Sequence, residues 1–352
     1  AEIEYQDISS TSIYVSFRIK KSSHAFLKNT SIVIWTTTPW TIPGNRAIAF
    51  GHSINYCVFE VLEAEDLTII NKKYVVAESL LNKVCERCNI KKFKILKVIK
   101  GKELNDTTCY HPFSEIGYGY NVQLLTGDFV EENEGTGFVH IAPCYGEDDY
   151  YLALDNNITI KDIVKDDGCY KEDTPIFAGI HVFKAHLKIV EKLEEFNSLL
   201  GVREYSHSYP HSWRSKKPII FRTTPQWFIS MNKNRLKDKA MQSIENTEWI
   251  PASSKNRIYS MVKNRPDWCV SRQRAWGVPL TIFVNKKTGE ALKDKKVMER
   301  IIEDVRKRGS DVWLSEDPYK YLENDYNPND YFAVKDILDV WFDSGSSHAF
   351  VL

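Results

Sequence analysis

Closely spaced β-type runs in the first hundred residues constrain the fold more than any other feature of the chain. Residues 12–19 alternate apolar and polar side chains with a period of two, as a half-buried strand does. Further runs, separated by turns that carry Gly, Asn and Asp, follow at 31–35, 47–50, 56–61, 74–77 and 93–99. Such a density of short strands predicts a barrel or a sandwich, interrupted by one helix near 78–88.

Three consecutive threonines follow one of these strands, within the stretch WTTTPWTIPGN at 35–45. They cannot all face a core, so at least one hydroxyl must point into solvent or a pocket. Because β-branched side chains hold their hydroxyls in fixed directions, the stretch suits a surface that hydrogen-bonds a ligand without reorganising. The same letters are equally typical of a strand that runs into a Pro-rich turn.

A second stretch, GTGFVHIAPCYGEDDY at 135–150, lies about a hundred residues further on. Its glycines allow close approach of the backbone. Residues 139–141 are typical of a strand that points His140 away from its two apolar neighbours. A lone histidine is usually structural, but Pro, Gly and three acids follow, which predicts that His140 borders a loop rather than the core.

Length and composition bound the class of protein. A chain of 352 residues predicts two or three domains, and no apolar run approaches the ~18 residues of a membrane span. With 47 basic against 47 acidic residues, any contact with nucleic acid must be local. Seven cysteines without framework spacing or a signal peptide indicate a reducing, cytoplasmic location. The single CxxC at 85–88 has no second pair, so no metal site is expected.

The second half of the chain changes in character. A helix is predicted at 182–200, ended by Gly201. After about residue 265 an apolar run at 278–284, a charged helix at 295–308 and a further run near 336–342 follow. This order of strand, helix and strand predicts part of a parallel α/β domain.

Four stretches together resemble the isoleucyl-tRNA synthetase family, at 35–45, 135–150, 265–277 and 339–345. Residues 1–19 and 209–228 match the same family, so the resemblance covers essentially the whole chain. It is specific, because valyl- and leucyl-type relatives usually carry an Arg where this chain has the pair Pro39 and Trp40.

The resemblance implies an α+β architecture in which a β-barrel-rich editing domain is inserted into a Rossmann-type α/β catalytic domain. Residues 1–20 would be connecting strands, 21–265 the editing domain, and 266–352 a partial return into the catalytic domain. The ATP signatures HIGH and KMSKS are absent, so we expect a fragment that forms no aminoacyl-adenylate. ATP with Mg would serve the parent ligase, and editing would need no cofactor.

The implied activity is post-transfer editing, the hydrolysis of mischarged Val-tRNA(Ile). A hydrophobic pocket gains only about 1–3 kcal/mol from one methylene, and isoleucine against valine is the usual illustration of this limit. A second, hydrolytic site therefore removes valine. The implied partners are the 3′ acceptor end of tRNA(Ile) and the valine or isoleucine ester. No membrane contact is expected, and we expect a monomer.

The resemblance also implies catalytic roles for four residues. Asp149 would anchor the α-ammonium group of the ester, with Asp148 as its local competitor. His140 would form the wall that excludes the extra methyl of isoleucine, although a general base is an alternative. Thr37 and Thr38 would frame the side chain and the attacking water.

Six residues are implied in substrate binding, and Asp148 is one of them. Thr36 and Asn45 would support the site or contact the terminal nucleotide, and Trp40 would contact substrate beside them. Trp268 and Asp343 resemble residues near the synthetic amino-acid site.

Two other functions stay open. One is a tRNA acceptor-end binding module without turnover. The other is the editing domain of a valyl- or leucyl-type relative, which the pair of Pro39 and Trp40 disfavours.

Overall fold

The computed structural model describes residues 3–351. Residues 1, 2 and 352, which belong to the predicted segments 1–20 and 266–352, lie outside it. The chain divides into two compact units, Ala1–Thr223 and Thr224–Leu352. This division differs from the boundaries predicted at 20 and 265, which stay predictions about the parent protein.

The first unit is built on ten strands, and every strand predicted among its first hundred residues is present. They are β1 Ile3–Lys21, β2 Thr30–Thr36, β3 Ala47–Phe50, β4 Asn55–Ala64, β5 Lys73–Ala77, β6 Ile90–Lys100, β7 Thr108–Tyr110, β8 Asn121–Thr126, β9 Phe138–Ile141 and β10 Leu199–Ser212. Three α-helices accompany them, α1 Leu81–Arg87, α2 Glu147–Asp155 and α3 His186–Glu195. The helix predicted near 78–88 is thereby confirmed.

The strands form one large mixed sheet in the order β6-β4-β5-β2-β1-β7-β8-β3-β9, with β10 on β1. The pairs β2–β5 and β3–β8 are parallel, and the other ladders are antiparallel. Among the described strands no ladder joins β6 to β9, so closure into a barrel stays a prediction. The architecture is therefore mixed α/β around a large sheet.

Strand β1 is the centre of this sheet, because it pairs with β10, β2 and β7. Its first half is mostly exposed, whereas Ser12 through Phe17 are all buried. The alternation at 12–19 predicts one solvent-facing side, but neighbouring strands and packed segments cover both faces of this half.

The helix predicted at 182–200 is too long. Helix α3 ends at Glu195, and Asn197 then adopts a left-handed conformation with φ of 51°. Leu199 and Leu200 already belong to β10. Gly201 pairs with Tyr14 across the ladder instead of ending a helix.

The second unit contains shorter elements. Its strands are β11 Phe228–Ile229, β12 Trp268–Cys269, β13 Ser271–Arg272, β14 Phe283–Asn285, β15 Tyr331–Ala333 and β16 Ile337–Leu338. Its helices are α4 Leu236–Asn246, α5 Ser253–Lys263, α6 Lys295–Arg308, α7 Val312–Ser315, α8 Val340–Gly345 and α9 Ser347–Phe350. The helix predicted at 295–308 is confirmed, with Asp294 as its N-cap and Gly309 following its last residue.

The prediction of parallel strands is wrong for the described part of this unit. Its three pairs, β11–β12, β13–β16 and β14–β15, are all antiparallel. The apolar run at 278–284 contributes only to β14, because its earlier part folds back and Pro279 bridges Ile337. A small apolar core around Phe283 and Trp313 packs under α6.

Candidate functional site

The threonine stretch forms the end of β2 and a buried 3₁₀ turn, Pro39–Gly44. Pro39 starts this turn, where the missing N–H costs nothing. The hydroxyl of Thr36 accepts a hydrogen bond from the Thr38 N–H at 3.1 Å. The hydroxyl of Thr41 donates to the Thr38 carbonyl at 2.8 Å. The backbone of Thr38 is therefore held from both sides.

Thr37 and Thr38 line a cavity of about 310 Å³, together with Trp40, Glu204 and Tyr209. Among the described residues the Thr37 hydroxyl has no hydrogen-bond partner, so it can bind a ligand or a water. Trp40 is only 7% exposed, and its ring packs edge-on against another aromatic ring with centroids 4.9 Å apart. Only a small part of Trp40 can therefore touch a substrate.

His140 lies in β9 and is 8% exposed, so the prediction that it borders a loop rather than the core is wrong. Its Nε2 lies 2.7 Å from the Thr41 hydroxyl, and its Nδ1 lies 3.0 Å from the Asn45 side-chain nitrogen. The pairing of β9 with β3 places His140 opposite Ile48. Its ring is therefore covered by Thr41 and Asn45, which lie on the segment before β3. Asn45 is fully buried and supports His140 from inside, and its contact with a nucleotide stays a prediction.

These contacts determine the tautomer of His140. The Asn45 Nδ2 lies 2.9 Å from the Ala47 carbonyl, which only accepts, so the atom there must be the amide nitrogen. It therefore donates to Nδ1 of His140, and the imidazole proton lies on Nε2. That proton is donated to the Thr41 hydroxyl, whose own proton goes to the Thr38 carbonyl.

Burial also determines the charge of His140. It lowers the pKa of the imidazole to about 4, so the ring is neutral near pH 7. Both ring nitrogens already have partners. The general-base alternative is therefore poorly supported, because a base needs a free lone pair near the water that it activates.

Asp149 lies in the first turn of α2, where a carboxylate suits the helix dipole. Its Oδ2 accepts a hydrogen bond from the Ala142 N–H at 2.7 Å, which ties α2 to the end of β9. The pKa of Asp149 is raised to about 6, chiefly by burial and also by the nearby charge of Asp148. The hydrogen bond from the Ala142 N–H acts in the opposite direction and lowers this pKa. Within residues 3–351 Asp149 makes no ion pair. Asp148 itself is exposed.

The predicted residues thus fall into separate groups. Thr37, Thr38 and Trp40 share the cavity wall, which includes neither His140 nor Asp149.

Trp268 and Asp343 belong to the second unit. The indole of Trp268 donates to Asp339 at 3.3 Å, and Asp343 lies in α8.

Thr41 is the functional candidate that sequence reasoning missed. Its only signal is its place three residues after Thr38 in a run of hydroxyls. That spacing lets one 3₁₀ turn bring its side chain back to the Thr38 carbonyl.

Comparison with known proteins identifies the family. The family model for class I tRNA synthetases (I, L, M and V) matches residues 1–352. The isoleucine–tRNA ligase of Pelagibacter ubique is 49% identical over 352 residues, which are 100% of this chain and 39% of that protein. The isoleucine–tRNA ligase of Gluconobacter oxydans is 46% identical over 369 residues, 100% of this chain and 38% of that protein.

Solved structures give a weaker likeness. The editing domain of the P. falciparum cytosolic leucyl-tRNA synthetase is 12% identical and covers 56% of this chain and 100% of that domain. Its TM-score of 0.43 is too low to inform fold or function.

The chain spans about two fifths of the length of the curated relatives that it matches. Within residues 3–351, no helix has the length and apolar character needed to cross a membrane. The family model nevertheless matches from the first residue to the last. The chain therefore belongs to the class I tRNA synthetase family that comprises the enzymes for isoleucine, leucine, methionine and valine.

Proposed function

We propose that this chain edits mischarged tRNA by hydrolysing Val-tRNA(Ile), within a cytoplasmic protein that ligates isoleucine to tRNA(Ile). The observation that carries the proposal is the Asp149 carboxylate, held by the Ala142 N–H and without an ion pair among the described residues. A partly buried carboxylate costs free energy unless a cation joins it. The α-ammonium group of an aminoacyl ester is such a cation.

Asp149 would therefore be the anchor for the substrate. A bound ammonium group would lower the pKa of this carboxyl from about 6 and stabilise its charged form. Asp148 is exposed and would contribute only to the local negative potential. The start of α2 and the Ala142 N–H hold the Asp149 carboxylate in place. No ion pair among the described residues involves this carboxylate, so its second oxygen could bind the ammonium group.

Thr37 and Thr38 would hold the attacking water and frame the side chain. The backbone of Thr38 is fixed by Thr36 and Thr41, so it is organised before a substrate arrives. The reaction is direct attack of water on the ester carbonyl, with the ribose hydroxyl of the substrate assisting. Most of the rate gain would come from positioning. No enzyme nucleophile and no metal are needed.

His140 would limit the size of the substrate side chain from behind Thr41, because it does not itself line the cavity of Thr37 and Thr38. As a neutral, doubly hydrogen-bonded ring it is a rigid polar wall, and Asn45 supports it from behind. Trp40 would contribute the small exposed part of its ring beside the threonines. His140 would not act as the base, because its proton positions are already committed to Thr41 and Asn45.

We further propose how the chain fits its parent protein. The first unit would be an editing domain closed into a barrel and inserted into a Rossmann-type catalytic domain. The second unit would belong to that catalytic domain, with Trp268 and Asp343 near its amino-acid site. The parent would use ATP with Mg, as its family implies, and act as a monomer on the 3′ acceptor end of tRNA(Ile).

The test is deacylation of Val-tRNA(Ile) against Ile-tRNA(Ile) by the 352-residue chain without ATP. We expect valine to be released faster than in a no-enzyme control, with isoleucine retained. Release of neither amino acid by a chain that still binds the tRNA would favour a binding module. Preferential release of isoleucine would instead favour the editing domain of a relative with another specificity.

A further inference from the structure

Two adjoining cavities of about 400 and 440 Å³ form a groove on the first unit. They share Arg18, Asn29 and Tyr110, so their walls are continuous. The residues come from β1, the segment between β1 and β2, the starts of β2 and β5, β7 and the segment after it, and the segment between α3 and β10. The cavity lined by Thr37 and Thr38 includes none of these three shared residues. We call this feature the basic groove.

The basic groove concentrates positive charge in a chain whose net charge is zero. Its cationic lining residues are Arg18, Lys20, Lys21, Lys28, Lys72 and Lys73. Glu115 is the only acid in either wall. None of the six cations forms an ion pair within residues 3–351, so their charge is available to a ligand.

Some of these cations are held in place before any ligand binds. The Arg18 guanidinium lies 4.8 Å from the centre of the Tyr110 ring, and the Lys20 ammonium lies 5.3 Å from it. Lys20 also donates to the Asn121 side chain at 2.6 Å. Cation–π contacts of this kind restrict long side chains and lower the entropy cost of binding an anion.

We propose that the basic groove binds the sugar-phosphate backbone of RNA. Six cations spread along two cavities match a chain of phosphates better than one isolated phosphate. The Tyr110 ring holds two of these cations in place, so its described contacts serve phosphate binding. The groove would therefore bind RNA without reading its sequence.

The groove also contacts the segment that carries the proposed site. His111 in its wall accepts the Phe113 N–H at Nδ1, so its Nε2 proton is donated to the Ile42 carbonyl at 3.0 Å. Ile42 lies in the turn Pro39–Gly44. The partner class rests on the proposed function, since an editing domain acts on RNA, but the location rests on the groove alone.

The test is the salt dependence of binding between the 352-residue chain and a tRNA(Ile) transcript. Each phosphate contact contributes about 0.7–0.9 to the slope of log K against log salt concentration. The triple variant R18Q/K20Q/K21Q should reduce the magnitude of the slope by about 2–3. A second variant, K21Q/K28Q, keeps the contacts of Tyr110 and should reduce it by about 1–2.

The matched control is K91Q/K92Q/K94Q, which removes the same charge from the exposed edge strand β6. Its slope should stay at the wild-type value. An equal reduction in both triple variants would overturn the proposal, because net charge alone would then explain binding. No measurable binding by the wild type at 50 mM salt would overturn it as well.

A short substrate separates this proposal from the proposed function. The valyl ester of a CCA trinucleotide has only two internucleotide phosphates, too few to engage six cations, so the groove variants should hydrolyse it at the wild-type rate. Loss of that hydrolysis in the groove variants would contradict a separate groove. If the wild type binds RNA through the groove but leaves the short ester intact, the proposed editing function is contradicted and the groove proposal is not.

Discussion

Thr41 stands between His140 and the Thr38 carbonyl, and it has no direct role in the proposed chemistry. Removing its hydroxyl by Thr41→Val would leave the Nε2 proton of His140 buried without an acceptor, at a cost of about 1–3 kcal/mol. We expect the unfolding free energy to fall by that amount and hydrolysis of the valyl ester to slow about tenfold.

Thr41→Ser is the matched control, because it keeps the hydroxyl and loses one methyl group. Its turnover should return to near the wild-type value. The NMR signature of His140 should keep its Nε2-H form in the serine variant. Equal activity of the valine and serine variants would remove Thr41 from the positioning role.

Asp149 makes a prediction about pH. Because protonation removes the charge that holds the ammonium group, kcat/KM for the valyl ester should fall as the pH drops through about 6. Asp149→Asn should be nearly inactive at every pH and lack this acidic limb. A pH profile with the same limb in both proteins would show that another group titrates.

The same residue predicts an opposite change in stability. A carboxyl whose pKa is raised from 3.8 to about 6 stabilises the fold most below pH 3.8, and this contribution is lost as the pH rises through 6. Asp149→Asn keeps an acceptor for the Ala142 N–H and carries no charge. Urea unfolding should therefore find the variant more stable than wild type at pH 8, with little difference at pH 3.5.

Some residue roles could be predicted from sequence, and others could not. The run of threonines predicts that at least one hydroxyl faces a pocket, and Thr37 and Thr38 do so. Period-two alternation at 139–141 gives one apolar and one polar face, but His140 and Ile141 are both buried. Coverage of both faces of a strand depends on distant segments, which the local pattern does not contain.

At the scale of elements, the start of β9 depends on a glycine. Gly137 has φ of 78°, and a Cβ built on it would lie 2.3 Å from the Cβ of Ala77. Its carbonyl accepts the hydroxyl of Tyr56 at 2.7 Å. Gly137→Ala should therefore carry both the cost of a left-handed conformation, about 1–2 kcal/mol, and a packing cost of about 1–3 kcal/mol.

Gly179→Ala separates these two costs. Gly179 has φ of 75°, and its added Cβ would meet nothing within 4 Å. Only the backbone cost of about 1–2 kcal/mol should remain. Chemical denaturation that finds equal losses for the two variants would mean that the Ala77 contact relaxes without cost.

Element prediction succeeded where local signals agreed and failed where they did not. Helix α6 has an Asp cap, an amphipathic stripe and a following Gly309, and both its ends were predictable. The apolar stripe at 182–200 continued beyond the end of α3, because the same leucines also suit β10. Only the long-range ladder with β1 distinguishes a strand from a helix there.

At the scale of the whole molecule, the seven cysteines report on packing. All are free thiols, and only Cys169 and Cys269 are partly exposed. Burial raises the pKa of Cys57 and Cys85 to about 12, so their thiolates are scarce at pH 8. Labelling of the native chain with a thiol reagent should show two fast sites, and all seven should react in denaturant. More than two fast sites would contradict the described packing.

The ladder between β1 and β10 also affects the order in which this chain can be made and folded. Ile3 pairs with Ser212, and the two are separated by about two hundred residues. At ribosomal rates of about 5–20 residues per second, the outer half of β1 waits roughly 10–40 s for its partner strand to be synthesised. During this interval a nascent chain exposes an unpaired strand, so we expect it to need chaperone protection at the ribosome.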